Sequence, residues 1–151
     1  MTPTKTDSKA PAEATVIPPE FTSIRPAESF PDDPSGPSKG DVTWHTLISH
    51  PQTASSDLSA GIAVCPPATG SLREHRHAQS EIYYILDGTG RVSIDGKSYE
   101  VERGSVIFIP PDAEHGIVNT GDVEPLRWFY VFPTSSFGDV VYRFSGPEAK
   151  P

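Results

Sequence analysis

The stretch EHRHAQSEIYYILDGTG, residues 74–90, gathers two histidines, two tyrosines and two glycines in a chain that has five histidines in all. His75 and His77 stand two residues apart, so in an extended strand both imidazoles leave the same face. A gap of three residues leads to Glu81 at the head of a second strand, EIYYILD, which Asp87-Gly88 turns back. A third histidine, His115, follows in IPPDAEHGIVN, where Pro110 and Pro111 end one strand and His115 opens another. Three neutral imidazoles and a carboxylate from adjacent strands make a mixed nitrogen and oxygen site suited to one divalent transition metal, Fe, Mn, Ni or Zn.

Outward from this stretch, residues 41–146 read as one β domain. Ten short runs rich in Val, Ile, Tyr, Phe, Trp and Thr, from VTWHTLIS (42–49) to DVVYRF (139–144), each end at Gly, Pro, Asp or Asn. No segment shows ten residues of helical periodicity. Asp87-Gly88 and Asp95-Gly96 predict tight hairpins, because Asp-Gly supplies the positive φ angles such turns require. Short strands joined this way close as a β-sandwich or jelly-roll barrel, an all-β fold.

The N-terminal quarter differs. Eight of the 17 prolines lie in residues 1–40. Residues 1–15, which contain nothing that could anchor a fold, predict a disordered tail. Residues 16–40 carry Val16, Ile17, Phe21, Ile24 and Phe30 among prolines that exclude a helix or central strand, which predicts an arm lying across the barrel or across a partner subunit in a homodimer.

A formal charge of −8 with scattered basic residues argues against nucleic acid or an anionic membrane surface as partner. The absence of a long apolar run or a secretory signal pattern predicts a cytoplasmic protein. Cys65, the single cysteine, reads as a small buried residue of the strand AGIAVC.

Alternation from Glu81 sends Tyr83 and Ile85 to the carboxylate's side and Tyr84 to the other. Tyr83 is therefore a candidate general base, its phenolate stabilised by a neighbouring cation, or a wall residue hydrogen-bonded to Glu81. Arg73, Tyr99, Tyr130 and Phe132 are candidates to contact the substrate, with Trp44, Trp128 and Phe129 as further core or cavity lining. His45 and His50 lack motif spacing.

GSLREHRHAQSEIYYILDG (70–88) resembles the first cupin motif, a glycine, then HxHxxxE, then a glycine; GSVIFIPPDAEHGIVN (104–119) resembles the second, with Gly104, Pro110, His115 and Asn119 in register. Gly70 sits one residue closer to His75 than the usual pattern, and Asp112 stands where a glycine is common. The resemblance implies a cupin barrel whose mouth holds one metal on His75, His77, Glu81 and His115. The spacing HxHxxxExY in HRHAQSEIY, with the closing LRWFYVFPTSSFGDVVYRF, looks like the small single-domain cupins of the dimethylsulfoniopropionate lyase type. That narrower resemblance implies a small carboxylate substrate bound to the metal, α-proton removal by Tyr83, and β-elimination that releases dimethyl sulfide and leaves acrylate. An Fe(II) oxygenase, a cupin isomerase or dehydratase, and a non-catalytic metal-dependent binder are the alternatives.

Overall fold

The computed structural model describes residues 12–145. In chain order the strands are β1 (Glu28–Ser29), β2 (Thr43–Ile48), β3 (Ser59–Cys65), β4 (Ser71–Arg76), β5 (Glu81–Asp87), β6 (Thr89–Ile94), β7 (Lys97–Glu102), β8 (Val106–Ile109), β9 (His115–Asn119), β10 (Leu126–Phe132) and β11 (Arg143–Phe144). Single 3-10 turns occur at Phe21–Ser23 and Phe137–Asp139. Two antiparallel sheets face each other, one ordered β1-β2-β3-β10-β5-β8 and the other β11-β4-β9-β6-β7.

Alternation decides which side chains fill the space between the sheets. Along β10, Leu126, Trp128, Tyr130 and Phe132 are buried, while Arg127, Phe129 and Val131 face outward and are half-buried. With Ile85, Val92, Ile109 and Ile117 they form the centre of the core. Each large apolar side chain removed from water there contributes about 1.5–3 kcal/mol.

The two Asp-Gly pairs behave differently. Asp95 and Gly96 both take positive φ and join β6 to β7 as a hairpin. At Asp87-Gly88 the expected hairpin is replaced by a corner, for β5 pairs with β8 and β10 whereas β6 pairs with β7 and β9. Gly88, with φ of +86°, turns the chain from one sheet to the other, and a Cβ there would press on the Pro125 carbonyl. The run DVVYRF is also shorter as a strand than its sequence suggests, since only Arg143 and Phe144 pair with β4. Asp112 takes a φ of +57°, a left-handed conformation that aspartate tolerates better than most residues, which explains its place at a position where cupins often have glycine.

The expected tail falls largely on residues 1–11, outside the described residues. Within residues 16–40, β1 pairs with β2, Phe21 stands edge-on to His45, and Phe30 packs against Trp44, Tyr142 and Phe144 with centroid distances of 4.7, 5.1 and 5.1 Å. His45, half-buried, hydrogen-bonds the Arg25 carbonyl at 2.8 Å.

Candidate metal centre

His75 lies near the end of β4, His77 is the first residue beyond it, and His115 opens the neighbouring β9, where it is paired with His75. Glu81 opens β5 in the opposite sheet. The four side chains converge between the sheets, none more than 3% exposed. One ring nitrogen from each histidine lies within 4.8 Å of the others.

The backbone fixes the tautomers. Nδ1 of His75 donates to the Arg73 carbonyl at 2.7 Å, that of His77 to the Gln79 carbonyl at 2.9 Å, and that of His115 to the Ala113 carbonyl at 2.8 Å. A carbonyl only accepts, so each Nδ1 carries the hydrogen and each Nε2 presents a lone pair. All three Nε2 atoms and Oε1 of Glu81 are buried without a hydrogen-bond partner. Glu81 Oε1 lies 3.2 Å from His77 Nε2 and 3.4 Å from His115 Nε2. Four acceptors left unsatisfied together in a dry interior cost several kcal/mol unless a cation or proton sits among them. The donor set therefore fits a divalent transition metal. Burial, helped by the neighbouring His115, holds the His75 pKa well below the usual histidine value, with the bond to Arg73 opposing in part; the ring stays neutral and available for ligation.

Tyr83 shares the inward side of β5 with Glu81 and Ile85, and Ile82 and Tyr84 are exposed on the other side. Its ring stacks obliquely 5.4 Å from Trp128, and its hydroxyl lies within the influence of the Glu81 carboxylate. Burial first, then the Glu81 charge, pushes the phenol well above its ordinary value. Tyr130 and Phe132 also face inward; Phe132 is edge-on to His77 at 5.1 Å. Arg73 and Tyr99 are not brought to the cluster. A register shift in β4 between Leu72 and His75 turns Arg73 outward, to an open groove of about 410 Å³ that it lines with Glu74, Arg91 and Ser93. Tyr99 is half exposed on β7, a strand whose outward residues face water. Arg76 likewise points out and holds the Asp112 carbonyl at 2.8 Å.

Tyr142 is the inward residue that sequence reasoning passed over. Its ring lies 4.8 Å from that of His75 and 5.4 Å from that of His77, and burial and Glu81 push its phenol up as well. Alternation within DVVYRF already put Tyr142 and Phe144 on one face, which was the available signal. Asn119 of the second motif is structural: its amide donates to the carbonyls of Cys65, Pro66 and Glu124 and accepts from Gly121 N–H.

Beside the cluster lies a cavity lined by Phe30, Trp44, Tyr83, Trp128, Tyr130, Phe137 and Tyr142 together with Glu81. Among the described residues no lysine or arginine lines it. Its residual volume is about 20 Å³, space for a single water.

Two facing antiparallel sheets with a three-histidine and glutamate cluster between them define a cupin, and the chain belongs to that family: the cupin domain model matches residues 61–132. Among its relatives, the dimethylsulfoniopropionate lyase DddW of Ruegeria pomeroyi is 43% identical over 109 residues, covering 72% of this chain and 70% of that protein. Protein SchB of Streptomyces halstedii is 30% identical over 102 residues, 67% of this chain and 72% of its own length. The polyketide cyclase RemF of Streptomyces resistomycificus has the same fold, with a TM-score of 0.66 at 24% identity over 85% of each chain. No helix among the described residues is long and apolar enough to cross a membrane.

Proposed function

We propose that this cupin is a metal-dependent lyase that removes the β-substituent of a small carboxylate, with dimethylsulfoniopropionate or a close analogue as substrate. The observation that carries the proposal is the adjacency of two features: the unsatisfied Nε2 atoms of His75, His77 and His115 with Glu81, and, reached through Glu81, a cavity walled by aromatic rings without a cationic side chain. A substrate carboxylate has no arginine to meet there, so it belongs with the cluster. The aromatic faces suit a compact onium group, which they attract through their quadrupoles. The similarity to the lyase DddW points the same way.

His75, His77, His115 and Glu81 would hold the metal, which when bound acts as a Lewis acid on the substrate carboxylate and so acidifies its α-carbon. Tyr83 would take that α-proton, a reading supported by its position on the inward side of β5 beside Glu81. In the structure its proton is held by burial and by Glu81; a divalent cation held on the neutral imidazoles would oppose both effects and favour the phenolate. The electron pair released at the α-carbon forms the double bond as the β-substituent departs with its own bonding pair. Trp44, Trp128 and Tyr130 exclude water from the reacting centre, so substrate admission requires the peripheral rings of Phe30, Phe137 and Tyr142 to move.

The deciding experiment is metal analysis of the purified protein followed by an anaerobic product screen over small carboxylates. Product formation without oxygen, with dimethyl sulfide and acrylate from dimethylsulfoniopropionate, is the expected result. Oxygen consumption coupled to turnover would make the protein an oxygenase instead, and a tightly held, unreacted carboxylate would make it a binder.

A further inference from the structure

The groove of about 410 Å³ into which Arg73 turns lies on the outer face of the five-stranded sheet, the side opposite the histidine cluster. A bulge builds it. Leu72 pairs with Ile117 and His75 with His115, so Arg73 and Glu74 together stand opposite the single residue Gly116, and both side chains leave the outer face. Gly116 is the floor. A Cβ there would lie 3.0 Å from the Glu74 backbone nitrogen and 3.1 Å from the Leu72 carbonyl oxygen, so the bulge needs a residue without a side chain beneath it. The missing side chain leaves the depression. Across it, β6 sends Arg91 and Ser93 to the same face, in register with Val118 and Gly116.

We propose that this groove binds a small phosphate ester bearing a free hydroxyl, such as a glycerol phosphate, and that its occupancy is linked to the metal centre through Arg73. Two guanidiniums line it against one carboxylate, in a chain whose net charge is −8. Among the described residues no carboxylate pairs with Arg73. Arg91 spends Nε on Glu100 at 2.7 Å, an exposed pair worth little by itself, and keeps both terminal nitrogens. Planar forks of this kind match phosphate oxygens through bidentate, charge-assisted hydrogen bonds. The Ser71 hydroxyl, on a buried residue of the lining, adds a neutral donor. Ser93 Oγ donates to Oε1 of Glu74 at 3.0 Å, which fixes that carboxylate and leaves its second oxygen to accept from a hydroxyl of the ligand. An anion without such a donor, a plain dicarboxylate for instance, meets only repulsion there.

Arg73 touches the metal site from its other side. Its carbonyl accepts the Nδ1 hydrogen of His75 at 2.7 Å, while its backbone N–H donates to the Lys39 carbonyl at 3.1 Å. An anion held by the Arg73 side chain restrains the bulge and with it the carbonyl that orients His75, and partners of that kind tune metal affinity. Linkage is reciprocal, so bound metal tightens the ester by the same factor.

Isothermal titration of glycerol 3-phosphate into the zinc-loaded full chain tests the site, and its result does not depend on which reaction the centre catalyses. Saturable binding is expected, with inorganic phosphate, which fills only part of the groove, and succinate both several-fold weaker. Arg73→Gln and Arg91→Gln should each weaken the ester about tenfold or more with unchanged circular dichroism. Arg103→Gln, exposed outside the groove, is the control and should bind as wild type does. In ¹⁵N-labelled protein the Nε–H resonances of Arg73 and Arg91 should move with saturation, which separates the groove from an ester seated on the metal. The metal-free protein should bind about fivefold more weakly. A wild type that does not bind overturns the inference, and so does full-strength binding by either arginine variant. Equal affinity for succinate overturns the phosphate assignment, and equal affinity with and without metal overturns the link through Arg73. Should Arg73→Gln unfold, Arg91→Gln decides alone.

Discussion

The rings of Phe30 and Tyr142 meet edge-on, 5.1 Å between centroids, and Tyr142 continues the contact to His75 at 4.8 Å. The two residues come from opposite ends of the chain, Phe30 just past β1 and Tyr142 just before β11, and together they cap the cavity beside the histidines. Neither sits on a long barrel strand, so they are the rings best able to yield to a substrate.

Phe30→Ala should therefore widen entry. The half-buried ring is expected to cost about 1–3 kcal/mol of stability, less than a fully buried phenylalanine. The ratio of kcat/KM for a bulky carboxylate to that for a small one should rise about tenfold or more, the scale at which pocket size discriminates. Steady-state kinetics with two such substrates check this, and an unchanged ratio would show that Phe30 is no gate.

What the sequence disclosed and what it hid divide along sequence distance. His75, His77 and Glu81 lie within seven residues, and His115 stands in a motif of its own, so chain-local spacing and strand alternation sufficed to bring out the cluster and the inward side of Tyr83. The cap was hidden because it depends on Phe30 and Tyr142 meeting across more than a hundred residues, through strands of two residues each. Arg73 was misleading for a related reason. Plain alternation pairs it with His75 on the inner face, and the irregular register of β4 turns it away. Asp87-Gly88 shows the same limit, since a left-handed glycine marks a bend without revealing whether the next strand joins the same sheet.

His115→Ala removes one of three Nε2 donors while leaving Glu81 and the other two histidines. Metal content by plasma emission spectrometry is expected to drop sharply with the barrel still folded. Wild type should melt lower after chelation, by the amount that binding linkage sets, about 2.7 kcal/mol when metal exceeds its dissociation constant a hundredfold. Equal metal content in wild type and His115→Ala would remove His115 from the ligand set.

The metal-free protein should lose stability on mild acidification. His75 stays neutral in the folded chain because burial and then His115 depress its pKa, whereas in the unfolded chain it takes up a proton below about 6.5. The unfolded state then binds the extra proton, so stability is complete above that pH and falls as pH drops toward the folded value, by up to about 1.4 kcal/mol per unit. Urea unfolding in chelator between neutral and mildly acidic pH measures the slope. A His75→Gln variant should show a flatter one, and identical slopes would assign the acid sensitivity to other groups.

Tyr83 and Tyr142 offer two phenols to one cavity, and substitution separates their roles. Tyr83 lies within the influence of the Glu81 carboxylate and shares its side of β5, while Tyr142 lies against the rings of His75 and His77 at the mouth. Replacing either by phenylalanine keeps the ring and its packing, including the contact of Tyr83 with Trp128. If Tyr83 is the base, Tyr83→Phe should lower turnover by about 10²–10⁴-fold, the usual effect of losing a general base, at unchanged metal content. Tyr142→Phe should then act mainly on KM, as a lost binding contact does. The reverse pattern would transfer the base to Tyr142, and near-wild-type turnover in both metal-replete variants would exclude a tyrosine base and favour the oxygenase.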